Sequence, residues 1–168
     1  MAEEGPVGLS LELDKKHHLP GEEVSCVLEV STRGLLPFRS IRAELVCHRI
    51  LLAGGMAESF LAFREGVVVA DRGRVRPPGR SFRFSLKVPE DAVPTYLGSS
   101  LIVDWRVRAH VDVTLAPTLT VSCPLLVLAS FNEPEPPSST ASRGPLSLVL
   151  RVEKGLFLPG ELVRGTLT

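Results

Sequence analysis

The amino-acid sequence predicts an all-β fold, a two-sheet antiparallel β-sandwich. Three observations carry the prediction. Apolar residues recur at every second position along most of the chain, Pro-Gly and Gly-Gly pairs punctuate the runs, and helical spacing is scarce. Side chains of a strand point alternately to opposite faces, so each such run has one face to bury.

The elements follow in order. Leu9, Leu11 and Leu13 alternate with Ser10 and Glu12, and Val24, Cys26, Leu28 and Val30 form the next apolar face. Between these runs Pro20-Gly21 suits a type II turn, because proline presets φ at the second position and glycine accepts a positive φ at the third. Ile41, Ala43, Leu45 and Cys47 continue the alternation up to Gly54-Gly55. Glu58 to Glu65 (ESFLAFRE) reads as a strand or a single helical turn. After Pro77-Pro78-Gly79, Phe82, Phe84, Leu86 and Val88 alternate with charged and hydroxyl residues. After Gly98-Ser99-Ser100, Trp105, Val107, Ala109, Val111 and Val113 alternate with Asp104, Arg106, Arg108, His110 and Asp112. Leu119, Val121, Cys123, Leu125 and Val127 close the series, and Asn132 to Pro145, rich in proline and serine, reads as a linker.

The 168 residues can hold one packed domain and the start of another. Nineteen basic residues balance nineteen acidic ones, so no global charge pulls the chain towards nucleic acid or an acidic membrane. No apolar run reaches the roughly 18 residues of a membrane-spanning helix. The acidic N-terminus (MAEEGPVG) lacks the apolar stretch of a secretory signal, and three cysteines with no close pair suit reduced thiols. The expectation is a soluble cytoplasmic protein.

One stretch occurs twice. Leu9–Glu29 and 148–168 match without gaps at an offset of 139 residues (Leu148 against Leu9), sharing Leu-Pro-Gly-Glu and its flanking Leu, Lys and Val positions. The spacing is far longer than a solenoid repeat and suits duplication of a whole domain.

In these residues the chain resembles the arrestin fold, nearest to the arrestin-domain-containing proteins (alpha-arrestins) and their bacterial sporulation-control relatives. That family opens each lobe with an apolar strand, a Pro-Gly-Glu turn and a second strand, as in Leu9–Val30. It continues with a strand like Arg39–Val46 and a long apolar-aromatic hairpin like Glu58–Ala70. A Pro-Gly turn then leads into Phe-x-Phe-x-Leu-x-x-Pro, here within Gly79–Pro89, followed by a loop like Val93–Gly98 and a strand like Trp105–Ala109. The resemblance implies an immunoglobulin-like, arrestin-type N-terminal sandwich over 7–128, a hinge over 129–145, and the first two strands of an incomplete second lobe over 146–168. About twenty residues cannot bury a sandwich core alone. That tail is expected to be disordered, to fold back on the first lobe, or to pair with a partner's strand edge, including that of a second copy. The resemblance further implies a non-enzymatic adaptor or scaffold in membrane-protein trafficking or signalling. Its partners would be proteins, with phosphorylated or membrane-receptor tails and peripheral membrane association among the options. The chain carries no Pro-Pro-x-Tyr, the ligase-recruiting motif of alpha-arrestins, and its one tyrosine is Tyr96.

Chemistry-bearing motifs are missing. There is no Gly-x-Ser-x-Gly, Ser-x-x-Lys or His-Glu-x-x-His, and no glycine-rich loop placed to cradle phosphate. His17 and His18 read as solvated turn histidines. With Cys26 a few residues on, a zinc site there would have to draw its further ligands from His48, His110, Cys47 and Cys123, several of which fall on opposite strand faces, so no cofactor or metal is expected. The three thiols share the apolar register of their strands and read as buried and inert.

Two arginine groups are candidate anion or partner sites. Arg72, Arg74 and Arg76 fall on one face of an extended segment, with Arg80 close by, forming a row of guanidinium forks. A solvated edge that discourages aggregation explains that row equally well. Arg106 and Arg108 sit in a strand face of alternating sign that reads as an internally paired ladder, available to partners. Of the nineteen basic residues fifteen are arginine, a bias a GC-rich gene would also give. The rival expectation is a ligand- or carbohydrate-binding sandwich module, which calls for exposed aromatics at loop tips, yet aromatics make up 5% of the chain.

Overall fold

A computed structural model describes residues 7–129, 136–154 and 162–168. The chain clusters into two compact units, Met1–Ala129 and Ser130–Thr168. In the first unit the alternating runs become β1 (Val7–Leu13), β2 (His17–His18), β3 (Glu23–Thr32), β4 (Leu36–Ala53), β5 (Met56–Val75), β6 (Gly79–Lys87), β7 (Tyr96–Leu97), β8 (Leu101–Val113) and β9 (Leu119–Val127). They form a smaller sheet in the order β1-β3-β6 and a larger one in the order β2-β9-β8-β4-β5, with β7 on β8. Neighbours are antiparallel except for the short β2–β9 pair.

The turns obey the chemistry of their residues. Gly21 adopts φ +82° and the Glu22 amide donates to the Leu19 carbonyl at 3.1 Å, closing the type II turn. The Glu22 carboxylate accepts from Lys15 Nζ at 2.7 Å and the Leu19 amide at 2.8 Å, and these contacts hold its carboxyl below the usual range. Gly54 and Gly55 adopt φ +57° and +80° between the paired residues Ala53 and Met56, the two positive φ values of a type I′ hairpin. The ambiguous Glu58–Glu65 stretch is therefore strand, the first half of β5. Register shifts between Ile41 and Arg42, and between Cys47 and His48, leave Val69 and Ala62 of β5 as bulges.

The core lies between the sheets. Val24, Cys26, Leu28, Val30, Phe82 and Leu86 of the smaller sheet are buried with Ile41, Ala43, Leu45, Cys47, Trp105, Val107, Ala109, Val111, Leu125 and Val127 of the larger. Each fully buried Leu or Val side chain contributes about 1.5–3 kcal/mol relative to exposure. Phe38 meets Phe82 edge-on at 6.1 Å, and Trp105 packs on Phe63 at 5.6 Å while its Nε1 donates to the Val93 carbonyl at 2.9 Å. His18 departs from expectation. His17 is exposed, but pairing of β2 with β9 turns its neighbour inward, so His18 is fully buried with Nε2 3.0 Å from Asp14 Oδ1.

The second unit holds β10 (Ser138–Arg143), β11 (Leu146–Val152) and β12 (Gly165–Leu167), an antiparallel sheet in that order. Ser138–Arg143 falls inside the segment read as linker over 129–145, and the strand corrects that part of the reading. The proline-rich run ends at Pro137, and Gly144 (φ +59°) followed by Pro145 makes a two-residue turn of the type II′ pattern between Arg143 and Leu146. Residues 130–135 of the same segment, and the second copy of Leu-Pro-Gly-Glu at 158–161, lie outside the described residues. The sequence repeat is nonetheless a structural repeat. Leu11, Glu12 and Leu13 of β1 pair with Leu28, Val27 and Cys26 of β3, and Leu150, Arg151 and Val152 of β11 pair with Leu167, Thr166 and Gly165 of β12. Every one of these positions is displaced by the same 139 residues (150 − 11), so the duplicated stretch keeps its register.

Candidate functional site

The larger sheet buries one face in the core and turns the other outward. On β4 the outward register is Arg42, Glu44, Val46 and His48; on β8 it is Asp104, Arg106, Arg108, His110 and Asp112. The ladders place Glu44 opposite Arg108 of β8 and opposite Gly66 of β5, with Ser122 of β9 beyond Arg108. Glu44 therefore has Arg108 opposite it, Arg42 two residues before it, Arg106 and His110 diagonal to it, and Arg64 of β5 within reach.

Its side chain is 10% exposed, and both oxygens are engaged. Arg64 Nε donates to Oε2 at 2.7 Å, and His110 Nε2 donates to Oε1 at 3.3 Å. His110 Nδ1 lies 3.0 Å from the Thr120 hydroxyl, which fixes the ring. Burial pushes the Glu44 carboxyl up, but the hydrogen bonds from His110 and Arg64 outweigh it and hold the group below its ordinary value. Gly66 makes room for this arrangement, since a Cβ there would come within 3.2 Å of the Ala43 carbonyl oxygen and 3.7 Å of Glu44 Cβ. The result is a depression of about 350 Å³ lined by Arg42, Glu44, Arg64, Gly66, His110 and Thr118.

The other predicted arginines of this face are placed as follows. Arg106 Nε donates to Asp104 Oδ2 at 2.6 Å, within its own strand. Arg108 Nη2 lies 3.2 Å from His48 Nε2, while His48 Nδ1 lies 3.4 Å from the Ser59 hydroxyl. A guanidinium can only donate, so His48 accepts through Nε2 and donates through Nδ1. The expected ladder is thus paired within β8 only at Arg106; Arg108 and His110 reach across to β4. Among the described residues Arg108 has no carboxylate partner and Arg42 has no polar partner.

Arg72, Arg74 and Arg76 are exposed, with Gly73 and Val75 between them turned inward, and none has an ion pair among the described residues. Arg80 sits 4.9 Å from the Phe82 ring centroid, a cation–π contact. The two groups do not merge. Arg74 pairs opposite Pro37 and Arg108 opposite Glu44, seven residues apart on β4, or about 23 Å at the rise of a strand.

Sequence reading missed the centre of the site. Glu44 lies among Ala43, Leu45 and Val46 and passes for an interruption of an apolar run. The legible signal was its place in the polar register. Cys26 and Cys47 are buried and their thiols are pushed up to about 12 and about 11; Cys123 is half-buried, its thiol raised by the same loss of solvation. No helix is long and apolar enough to cross a membrane, and no group of three or more potential metal ligands occurs among the described residues.

No protein-family model matches the chain, and no curated protein matches it. Solved structures do share its architecture, among them the following two. The sporulation control protein Spo0M of Bacillus subtilis superposes with a TM-score of 0.64 at 16% identity, over 98% of this chain and 90% of that one. The fold is arrestin-like. Squid arrestin superposes with a TM-score of 0.51 at 14% identity over 95% of this chain, which spans 62% of the squid chain. At these identities the likeness extends to the arrestin-like fold and to no individual residue.

Proposed function

We propose that this arrestin-like protein is a non-enzymatic adaptor that docks protein partners on the outward face of its larger sheet, in membrane-protein trafficking or signalling. One observation carries the reading: Arg106 and Arg108 stand half-buried at the middle of a sheet face on which charged side chains outnumber apolar ones such as Val46, next to a depression of about 350 Å³. Half-buried arginine on a rigid strand loses little freedom on binding and offers a planar fork to a partner. The trafficking or signalling setting rests on the likeness of fold, and fold alone does not set function. The exposed row Arg72, Arg74 and Arg76 is a second contact region for the same partner or for a negatively charged surface.

The test is affinity capture from lysate of the source cell with quantitative mass spectrometry. Three forms are compared: wild type, R106E/R108E, and R72E/R74E/R76E. Proteins captured by wild type and lost with R106E/R108E support docking on the sheet face. An unchanged set with both variants contradicts the adaptor reading of either arginine group.

A further inference from the structure

Glu44 occupies the position a partner's carboxylate would take. Glu44, at 10% exposure, is held by a guanidinium and an imidazole, on a face where Arg42, Arg64, Arg106 and Arg108 meet Glu44, Asp104, Asp112 and, opposite Ser40, Asp71. Of those arginines, Arg64 answers Glu44 and Arg106 answers Asp104, while Arg42 and Arg108 have no ion pair among the described residues; the two remaining acids, Asp112 and Asp71, lie in the Ser40 row on the far side of Arg42 from Glu44. Both flank Glu44: Arg42 two residues before it on β4, Arg108 opposite it on β8. The internal carboxylate thus satisfies part of a cationic site and leaves the rest open.

Resting on the adaptor reading, we propose that this face binds an extended acidic segment of a partner protein, and that Glu44 is an internal counter-ion competing with the partner's carboxylates. The spacing fits. Arg42 and Arg108 are diagonal neighbours on adjacent strands, about 7–8 Å apart, close to the about 6.6 Å between alternate side chains of an extended peptide. Incoming carboxylates complete the forks of Arg108 and Arg42, and Arg64, whose side chain is 64% exposed, swings from Glu44 to the ligand. Because the internal and external carboxylates use the same cation, removing the internal charge strengthens binding. A structural salt bridge predicts the reverse.

The test is fluorescence anisotropy with a labelled twelve-residue peptide of alternating Glu and Ser, and its Gln-Ser counterpart as control. The expected result is binding of the Glu peptide alone, about tenfold tighter to Glu44→Gln and about tenfold weaker to Arg108→Gln, the scale of one charge-assisted hydrogen bond gained or lost. Equal or weaker binding to a folded Glu44→Gln overturns the proposal. Should Glu44→Gln fail to fold, Arg42→Gln, exposed and unpaired, decides: a loss of threefold or more supports the proposal, and unchanged affinity overturns it. If the Glu peptide fails while lysate capture still depends on Arg106 and Arg108, the acidic-segment proposal falls and the docking face survives. If both fail, the adaptor reading falls too. Arg108-dependent sedimentation with phosphatidylserine vesicles in place of peptide binding also overturns the proposal, by assigning the face to a lipid surface.

Discussion

Replacing Gly79 by alanine tests how tightly the two sheets are tied where β5 turns into β6. Gly79 adopts φ +154°, and a Cβ built there lies 2.4 Å from the Val30 carbonyl oxygen and 2.9 Å from Ser31 Cα. Both obstacles are backbone, so the chain must shift by about 0.6 Å (3.0 − 2.4) to reach a tolerable contact. That shift breaks the start of the β3–β6 ladder, where Ser31 pairs with Gly79, and strains the bond from the Thr32 amide to the Pro78 carbonyl at 3.0 Å. Backbone strain of about 1–3 kcal/mol plus one or two hydrogen bonds at about 1 kcal/mol each gives a loss of about 2–5 kcal/mol. For a unit of this size that corresponds to a fall in Tm of roughly 8–20 °C. Gly54→Ala is the control: φ is +57°, nothing lies within 4 Å of its Cβ, and only the left-handed penalty of about 1–2 kcal/mol applies. Thermal and urea unfolding followed by the fluorescence of Trp105 measures both. If Gly79→Ala costs no more than Gly54→Ala, the backbone collision is not real.

Further outcomes follow from the same physics. With its carboxyl held below the ordinary value of 4.5, Glu44 contributes stability at neutral pH that is lost as pH falls through its folded value. The stability gap between wild type and Glu44→Gln, about 1 kcal/mol given the exposure of Arg64, should therefore be full at pH 7 and shrink progressively as pH falls below 4.5, as read by urea unfolding across pH. Thiol titration with a chromogenic disulfide at pH 8 should modify Cys123 alone in the native protein and all three cysteines in denaturant, because Cys26 and Cys47 are buried with thiols pushed up to about 12 and about 11. Trp105→Phe should cost about 2–3 kcal/mol by shrinking a core side chain and stripping the Val93 carbonyl of its donor, with faster amide exchange over Val93–Leu97 as the second readout.

Much of the fold was legible because period-two alternation and turn chemistry are local. Gly54-Gly55 and Pro20-Gly21 announced their turns, and Leu28, Leu45 and Val107 announced the face they bury. What escaped depends on partners distant in sequence. His18 looked like a turn residue until β9, more than 100 residues away (127 − 18), paired with it. The strand Ser138–Arg143 was masked by neighbouring prolines, although Gly144-Pro145 carried the hairpin signal. For the site, Arg106 and Arg108 were visible as a polar register, but Glu44 and Arg64 gain their meaning only from the β4–β5 and β4–β8 ladders, which no local pattern encodes.

The central claim is that partners dock on the outward face of the larger sheet. A photo-cross-linking residue at Ser122, exposed beside Arg108 on that face, tests it against the same label at Ser10, exposed on the outward face of the smaller sheet. The account predicts that, on irradiation in the source cell, Ser122 yields discrete adducts that R106E/R108E abolishes, while Ser10 yields none. Adducts from Ser10 with none from Ser122 would contradict it.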